Sequence, residues 1–266
     1  MPVKKSTMRF ASLGSGSRGN ATLVAHADTC LLLDCGFSLK ETVYRLARLG
    51  LEGDSLAAIV VTHEHADHVD GIGTVARKFK LPVWMTPGTW QMIAVNGDIG
   101  ALPEVRLFNS YETFAIGAIQ VKPFPVPHDA REPSQFVFSD GDRCLGVLTD
   151  AGSSTAHIEA CLSGCHALLL ECNHDRAMLF DSRYPPSLKE RIAGRFGHLD
   201  NDAAAAILAK LDNSRLQHLV AAHLSEKNNT PYLARAALSG ALGCAMPWVQ
   251  VADQDQGLGW RELKKL

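Results

Sequence analysis

Five short apolar runs in this chain each end on an acid or a histidine, and that pattern constrains the fold more than any other feature. Cys30-Leu31-Leu32-Leu33 leads into Asp34, Leu56 to Val61 leads through Thr62 into His63, and Cys144 to Leu148 leads through Thr149 into Asp150. Ala167 to Leu170 leads into Glu171, and Leu219 to Ala222 leads into His223. Short apolar runs without alternation read as strands buried on both faces. Buried strands that deliver polar side chains at one end are what a site at a sheet edge requires. Polar strand ends are common, but that habit does not account for five that are Asp, Glu or His.

Helix signals lie between the runs. Ser38 followed by Glu41 predicts a capping box, with Gly50 as the stop, and Ser187, Glu190 and Gly197 repeat the arrangement. Thr230-Pro231 predicts an N-cap and an N1 proline for a helix running to about Leu242. Asp200 or Asn201 is placed to cap an alanine-rich helix from Asp202 to Leu211. Strands alternating with helices predict a layered α/β protein. With no repeat, low-complexity segment or linker, residues 1–266 read as one domain.

At 46% hydrophobic residues the chain can build its core without disulfide staples. A net charge of −2 gives no global attraction to nucleic acid or to an anionic membrane. The seven cysteines are odd in number and contain no CxxC pair, so they read as mostly buried free thiols in a reducing compartment. Met1 to Thr7 is short and polar and does not read as a signal peptide, and no apolar run approaches the ~18 residues of a membrane span. A soluble, cytoplasmic protein is expected.

The sharpest chemical signal is Thr62-His63-Glu64-His65-Ala66-Asp67-His68, three imidazoles and a carboxylate on a turn directly after an apolar run. Neutral imidazole and carboxylate suit zinc, manganese or iron. Such a turn can point His63 and His65 at one ion, and Asp67 and His68 at a neighbour. The competing reading is a histidine-rich surface turn. His26, His157, His166 and His218 read as surface or structural residues.

HxHxDH after an apolar strand resembles the metallo-β-lactamase superfamily. The superfamily's other motifs follow in order at Leu33-Asp34-Cys35-Gly36, Val126-Pro127-His128, Leu148-Thr149-Asp150-Ala151-Gly152 and Ala221-Ala222-His223. The resemblance implies an αββα sandwich: two mixed β-sheets face to face, flanked by helices, with the site at one edge. It implies two divalent metal ions, the first held by His63, His65 and His128 and the second by Asp67, His68 and His223. Asp150 would bridge them, and Asp34 would orient the motif by hydrogen bonding rather than bind metal. Two cations so held can share a hydroxide that attacks phosphorus or a carbonyl carbon, which makes the chain a binuclear metal-dependent hydrolase.

Further clusters lie near the expected site edge. The Gly/Ser-rich turn from Phe10 to Thr22 can present backbone N–H groups, Ser15, Ser17 and Asn20 to a phosphate, or can simply be a hairpin turn. With Glu171-Cys172-Asn173-His174-Asp175, Gly197-His198-Leu199-Asp200-Asn201 and His223-Leu224-Ser225-Glu226-Lys227-Asn228-Asn229, it resembles the YycJ/WalJ/VicX-like branch of the superfamily. Asp200 departs from the serine usual there. That branch implies a phosphodiesterase acting as a 5′-to-3′ DNA exonuclease. On it, His198 and His174 join Asp67 as catalytic candidates, for gripping phosphate or protonating the leaving oxygen. Asn173, Asn201, Ser225, Asn228 and Asn229 could then donate to phosphate oxygens, although Asn201 and Asn229 could equally cap helices. Arg176, Arg183, Lys189, Arg191 and Arg195 offer a groove lining or a solvated helix face. The alternative function is a small-molecule hydrolase of thioesters, lactones or cyclic phosphodiesters on the same ions.

Overall fold

The computed structural model describes residues 7–96 and 99–265. Of the polar N-terminal stretch, all but Thr7 lies outside them. The apolar runs form the middle strands of two mixed, seven-stranded sheets. The first contains β1 (Arg9–Gly14), β2 (Ala21–His26), β3 (Thr29–Leu33), β4 (Ala58–Val60), β5 (Pro82–Met85) and β6 (Glu104–Leu107), with β14 (Leu258–Glu262) beside β1. The second runs in order from β7 (Phe114–Ile116) through β8 (Ile119–Pro125), β9 (Ser134–Ser139), β10 (Cys144–Leu148), β11 (Ala167–Glu171) and β12 (His218–Ala222) to β13 (Gln250–Val251).

Each sheet is antiparallel on one side and parallel on the other. β14, β1, β2 and β3 pair antiparallel, whereas β3 through β6 pair parallel. The second sheet repeats this: β7 through β10 are antiparallel and β10 through β13 parallel. The five apolar runs are β3, β4, β10, β11 and β12, all in the parallel parts, and their polar residues follow the C-terminal ends. Parallel strands are covered on both faces and collect ligands outside their carboxyl ends, which is why the runs lack alternation and where the site must fall.

The strand period sorts the leucines. Leu31 and Leu33 of β3 point between the sheets, where they meet Val60, Phe136, Phe138, Val147, Leu169 and Val220. Leu32 points the other way, with Ile59, onto α1 (Leu39–Arg48), α3 (Ile72–Phe79) and α4 (Pro87–Asn96) through Leu46, Ile72, Val75 and Ile93. On the far side Leu148, Leu168 and Leu170 pack against α5 (Ala156–Leu162), α8 (Asn201–Lys210) and α9 (Pro231–Leu242) through Ile158, Leu162, Ile207, Leu208 and Leu238. The result is helix, sheet, sheet, helix. Each buried leucine or isoleucine contributes about 1.5–3 kcal/mol.

The helix ends differ in detail from expectation. Ser38 caps α1 by accepting from Glu41 N, but the Glu41 carboxylate turns to Arg45 at 2.6 Å, so the capping box is half made. Asp200, not Asn201, caps α8, accepting from Ala203 N at 2.8 Å. Thr230 and Pro231 open α9 as expected, and Gly243 closes it at φ +67°. The helix predicted from Ser187 starts earlier: α7 spans Pro186–Ala193, follows Pro185 with no side-chain cap, and ends at Gly194 rather than Gly197. Pro186 at N1 explains this, because its ring presets φ and it has no N–H to satisfy.

Candidate metal centre

The strand ends converge through backbone conformations that side chains normally avoid. Among the described residues, five non-glycine residues have positive φ, and three of them are Asp34 (60°), Asp150 (53°) and His223 (55°). Each comes directly, or one residue, after β3, β10 or β12. Left-handed backbone at such residues costs on the order of 1–3 kcal/mol and persists where the surroundings enforce it. The enforcement is visible two residues after Asp34 and after Asp150, where a glycine stands in each case. A Cβ on Gly36 would collide with Asp67 O, and one on Gly152 with Arg195 O, so the chain after each aspartate lies flat against a segment that carries the site.

The His63 turn continues into α2 (Ala66–Val69) and places seven side chains together. Candidate ligand atoms of His63, His65 and His128 lie within 4.8 Å of one another, as do those of Asp67, His68 and His223. Asp150 forms a further such set with His63 of the first group and His68 of the second; Oδ2 is 3.2 Å from His68 Nε2 and Oδ1 is 3.4 Å from His223 Nε2.

Four imidazoles are fixed through Nδ1, which leaves Nε2 facing the cluster. His63 Nδ1 meets Thr62 Oγ1 at 2.9 Å, His68 Nδ1 meets Asp34 Oδ2 at 2.9 Å, and His128 Nδ1 donates to Gly197 O at 3.1 Å. His223 Nδ1 lies 3.3 Å from Asn173 Nδ2 and 3.6 Å from Glu171 Oε1. Such outer partners set the tautomer and ring orientation of metal-binding histidines. Asp34 also accepts from Thr62 N and Oγ1, so one buried carboxylate clamps the turn at three points.

The donor set fits divalent cations. His63 Nε2, His223 Nε2 and Asp150 Oδ2 are buried without a hydrogen-bond partner, which is costly unless something else satisfies them. Burial alone would push the His68 imidazole down, but Asp150, Asp67 and Asp34 outweigh it and raise it well above the usual histidine range. Burial would push Asp150 up, and His223 and His68 hold it well below the usual carboxylate range. The cluster balances its carboxylates with protons on imidazoles, and cations can take over that balance.

Residues 29–223 match the family model described as "Beta-lactamase superfamily domain". The chain belongs to the beta-lactamase superfamily. It is 37% identical over 237 residues to exodeoxyribonuclease YycJ of Bacillus anthracis, covering 88% of this chain and 89% of that protein. To exodeoxyribonuclease WalJ of Streptococcus pneumoniae it is 30% identical over 253 residues, covering 94% and 91%. Among solved structures, the metallo-beta-lactamase fold protein YhfI from Bacillus subtilis has a TM-score of 0.75 at 15% identity, covering 97% of this chain and all of that one. Zn²⁺-bound PqqB from Methylobacterium extorquens has a TM-score of 0.72 at 19% identity, covering 96% of this chain and all of that one. These two likenesses concern the fold. The protein is a metal-dependent hydrolase of the beta-lactamase superfamily.

Around the centre of this superfamily member, the residues singled out as substrate contacts fall into three groups. Ser15, Asn20, Asn173, Asn201, Ser225, Asn228 and Asn229 are buried rather than presented at the surface. Asn20 Nδ2 donates to Asp67 Oδ2 at 3.1 Å, Ser15 Oγ accepts from His223 N at 2.8 Å, and Asn173 Nδ2 donates to His223 O. Asn201 and Asn229 bond each other at 3.0 and 2.9 Å, and Ser225 Oγ accepts from Asn228 N. Nor is the Gly/Ser turn a phosphate cradle, because the N–H groups of Ser15, Gly16, Arg18, Gly19 and Asn20 all have acceptors within the protein. Ser17 alone of the set is exposed, at the tip of that turn. Ser15, Asn20, Asn173, Asn201, Ser225 and Asn229 are thus committed to internal hydrogen bonds, whereas Asn228 Nδ2 and Oδ1 are buried without a hydrogen-bond partner.

His198 and His174 part company. His198 stands at the cluster, 5.3 Å ring to ring from His128 and 5.4 Å from His223. Its Nδ1 is 2.8 Å from Glu171 Oε1, and its side chain is 23% exposed, so Nε2 remains for a ligand. Burial would lower its affinity for a proton, but Glu171 and Asp150 raise it. His174 is buried behind Asn173 and lines a neighbouring cavity instead.

Glu171 was legible as a strand end but carried no assigned role. It is fully buried, and besides His198 it accepts from Ala151 N at 2.9 Å and Leu199 N at 3.3 Å. Those bonds occupy its oxygens and favour an orienting role over a ligand role. Asp129 was missed, although it follows His128. Its Oδ1 is 3.5 Å from His128 Nε2 and its Oδ2 is 2.6 Å from Arg191 Nε.

Proposed function

We propose that this protein is a DNA exonuclease that hydrolyses phosphodiester bonds in the 5′-to-3′ direction at a centre of two divalent cations. The observation that carries the reading is the arrangement of the buried donors: two neighbouring groups, each with unpartnered or inward-facing nitrogens, and Asp150 grouped with a histidine of each. Supporting it are the two relatives named exodeoxyribonucleases, matched over nearly their whole length. Open cavities on two sides of the cluster also suit a polymer better than a closed pit would. One is lined by Glu64, His65, Met92, Ile93, Ile99 and Asp129, the other by His174 and Asp200.

His63, His65 and His128 would hold one cation, and Asp67, His68 and His223 the other, with Asp150 shared. Zinc, manganese or iron held there would supply hydroxide near neutral pH and take up charge on the phosphate oxygens. The protein's own residues prepare that chemistry. Asp34 and Thr62 fix the His63 turn, and Asn20 fixes the Asp67 carboxylate. Glu171 holds His198 by Nδ1, so that Nε2 can deliver a proton to the departing oxygen. The whole chain works as one domain in this reading. Seven free cysteines, and the absence of any described helix long and apolar enough to cross a membrane, suit action in the cytoplasm.

The test is digestion of single-stranded and duplex DNA labelled at either end, with Mn²⁺ or Zn²⁺ added and Asp67→Ala as control. Release of nucleotides from the 5′ end by the wild type alone is the expected result. Inertness toward DNA, together with turnover of thioesters, lactones or cyclic phosphodiesters, would overturn it.

A further inference from the structure

Beside the metal centre, α6 (Arg176–Asp181) and α7 enclose a cavity of about 390 Å³, near the lower end of the range for small-ligand sites. Two segments of the site run on into its lining. Asn173 touches the His223 ring and the next residue, His174, lines the cavity; His198 stands at the cluster, and Asp200 lines the cavity two residues on. Its apolar wall is Leu179, Phe180 and Ala193, and its polar edge carries Arg176, Lys189, Glu190 and Asp200. Arg176 is held by Asp200, whereas Lys189 donates to the Phe180 carbonyl and stands 6.0 Å from that ring.

Phe180 is 79% exposed, and no residue of α7 is buried, so neither is explained by packing within the fold. The pairing of a ring with a cation recurs in neighbouring segments. Arg195 lies over Phe196, which is 52% exposed and whose carbonyl accepts from Asp129 N, and Lys227 lies over the half-buried Tyr184. Flat faces interleaved with cations are what unpaired bases on a phosphate backbone require. A cavity of this size accommodates a single nucleotide.

We propose that the α6–α7 cavity binds one unpaired nucleotide flanking the scissile phosphodiester, with its base against Phe180 and its phosphate toward Lys189. This rests on the nuclease reading of the metal centre and deepens it. It makes the enzyme select single-stranded ends, or melt the end of a duplex before cutting.

The experiment measures kcat and KM on single-stranded oligonucleotides, intact or abasic at either nucleotide flanking the cleaved bond. It compares the wild type with Phe180→Ala and Phe180→Tyr. Leu179 supplies the buried contact of α6, so loss of the exposed ring leaves the fold intact. Phe180→Ala is expected to raise KM on the intact strand about tenfold, within the range for a base stacked on an aromatic side chain, and Phe180→Tyr to restore it. On one of the abasic strands, wild type and Phe180→Ala should have equal KM. Equal KM on the intact strand, or the same loss on intact and both abasic strands, overturns the proposal while leaving the nuclease reading in place. A wild type that neither binds nor cleaves DNA removes both.

Discussion

Whether the buried asparagines beside the centre are posts of the fold or hands for the substrate is decided by the Asn201–Asn229 pair. Asn229 makes four bonds: Nδ2 donates to Cys172 O at 2.7 Å and Asn201 Oδ1 at 2.9 Å, and Oδ1 accepts from Asn201 Nδ2 at 3.0 Å and Thr230 N at 2.8 Å. They tie the end of β11 to the starts of α8 and α9. Asn201→Ala removes two of these bonds and leaves each Asn229 atom one partner, for a loss of about 1–3 kcal/mol. Asn229→Ala removes all four and strands buried groups on three segments, for about 3–4 kcal/mol. For a domain this large, at about 2 °C per kcal/mol, those losses lower Tm by roughly 2–6 °C and roughly 6–8 °C respectively. The double variant should lose about 1–2 kcal/mol less than the sum of the two, because the partners are in contact. Calorimetric melting of the four proteins, paired with turnover measured well below Tm, separates the roles. Wild-type melting in both single variants with collapsed kcat/KM would refute the positional reading and return these amides to the substrate.

Three further outcomes are expected. Glu171→Gln should lower kcat by about 10²–10⁴-fold, as expected for loss of an effective general acid, with bound metal unchanged by elemental analysis; lost metal would make Glu171 a ligand. Asp34→Ala strands Thr62 N, Thr62 Oγ1 and His68 Nδ1, and should weaken metal binding about 10–100-fold in competition with a chromophoric chelator. Far from the centre, Cys144 accepts a hydrogen bond from the Cys165 thiol and lies 3.6 Å from His166 Nδ1; these outweigh burial and hold its pKa below the usual thiol range. Burial pushes Cys30 up to about 11 and Cys35 up to about 12. A lowered pKa means that the thiolate persists to lower pH, so iodoacetamide labelling of Cys144 should outpace that of Cys30 and Cys35 most strongly at the acid end of a pH 6 to 9 series. A rate rising tenfold per pH unit in mass-spectrometric mapping would contradict it.

The sequence by itself determined the layers and the centre's donors. Unalternating runs such as Cys30–Leu33 are stable only as strands covered on both faces, and the HxHxDH turn has few uses other than cations. It also held Glu171 in view as a strand end, but not its partner, because Glu171 and His198 are 27 residues apart and meet only across segments. Tertiary structure decided what each polar residue near the site faces. Ser15 and Asn20 could serve a phosphate or a plain hairpin, and Asn201 and Asn229 a phosphate or a helix cap, in one dimension; three dimensions turn all four inward, since a loop packed against another must satisfy its buried polar groups. The exposure of Phe180 was equally illegible, because a six-residue helix has too little period to separate the leucine that packs from the phenylalanine that does not.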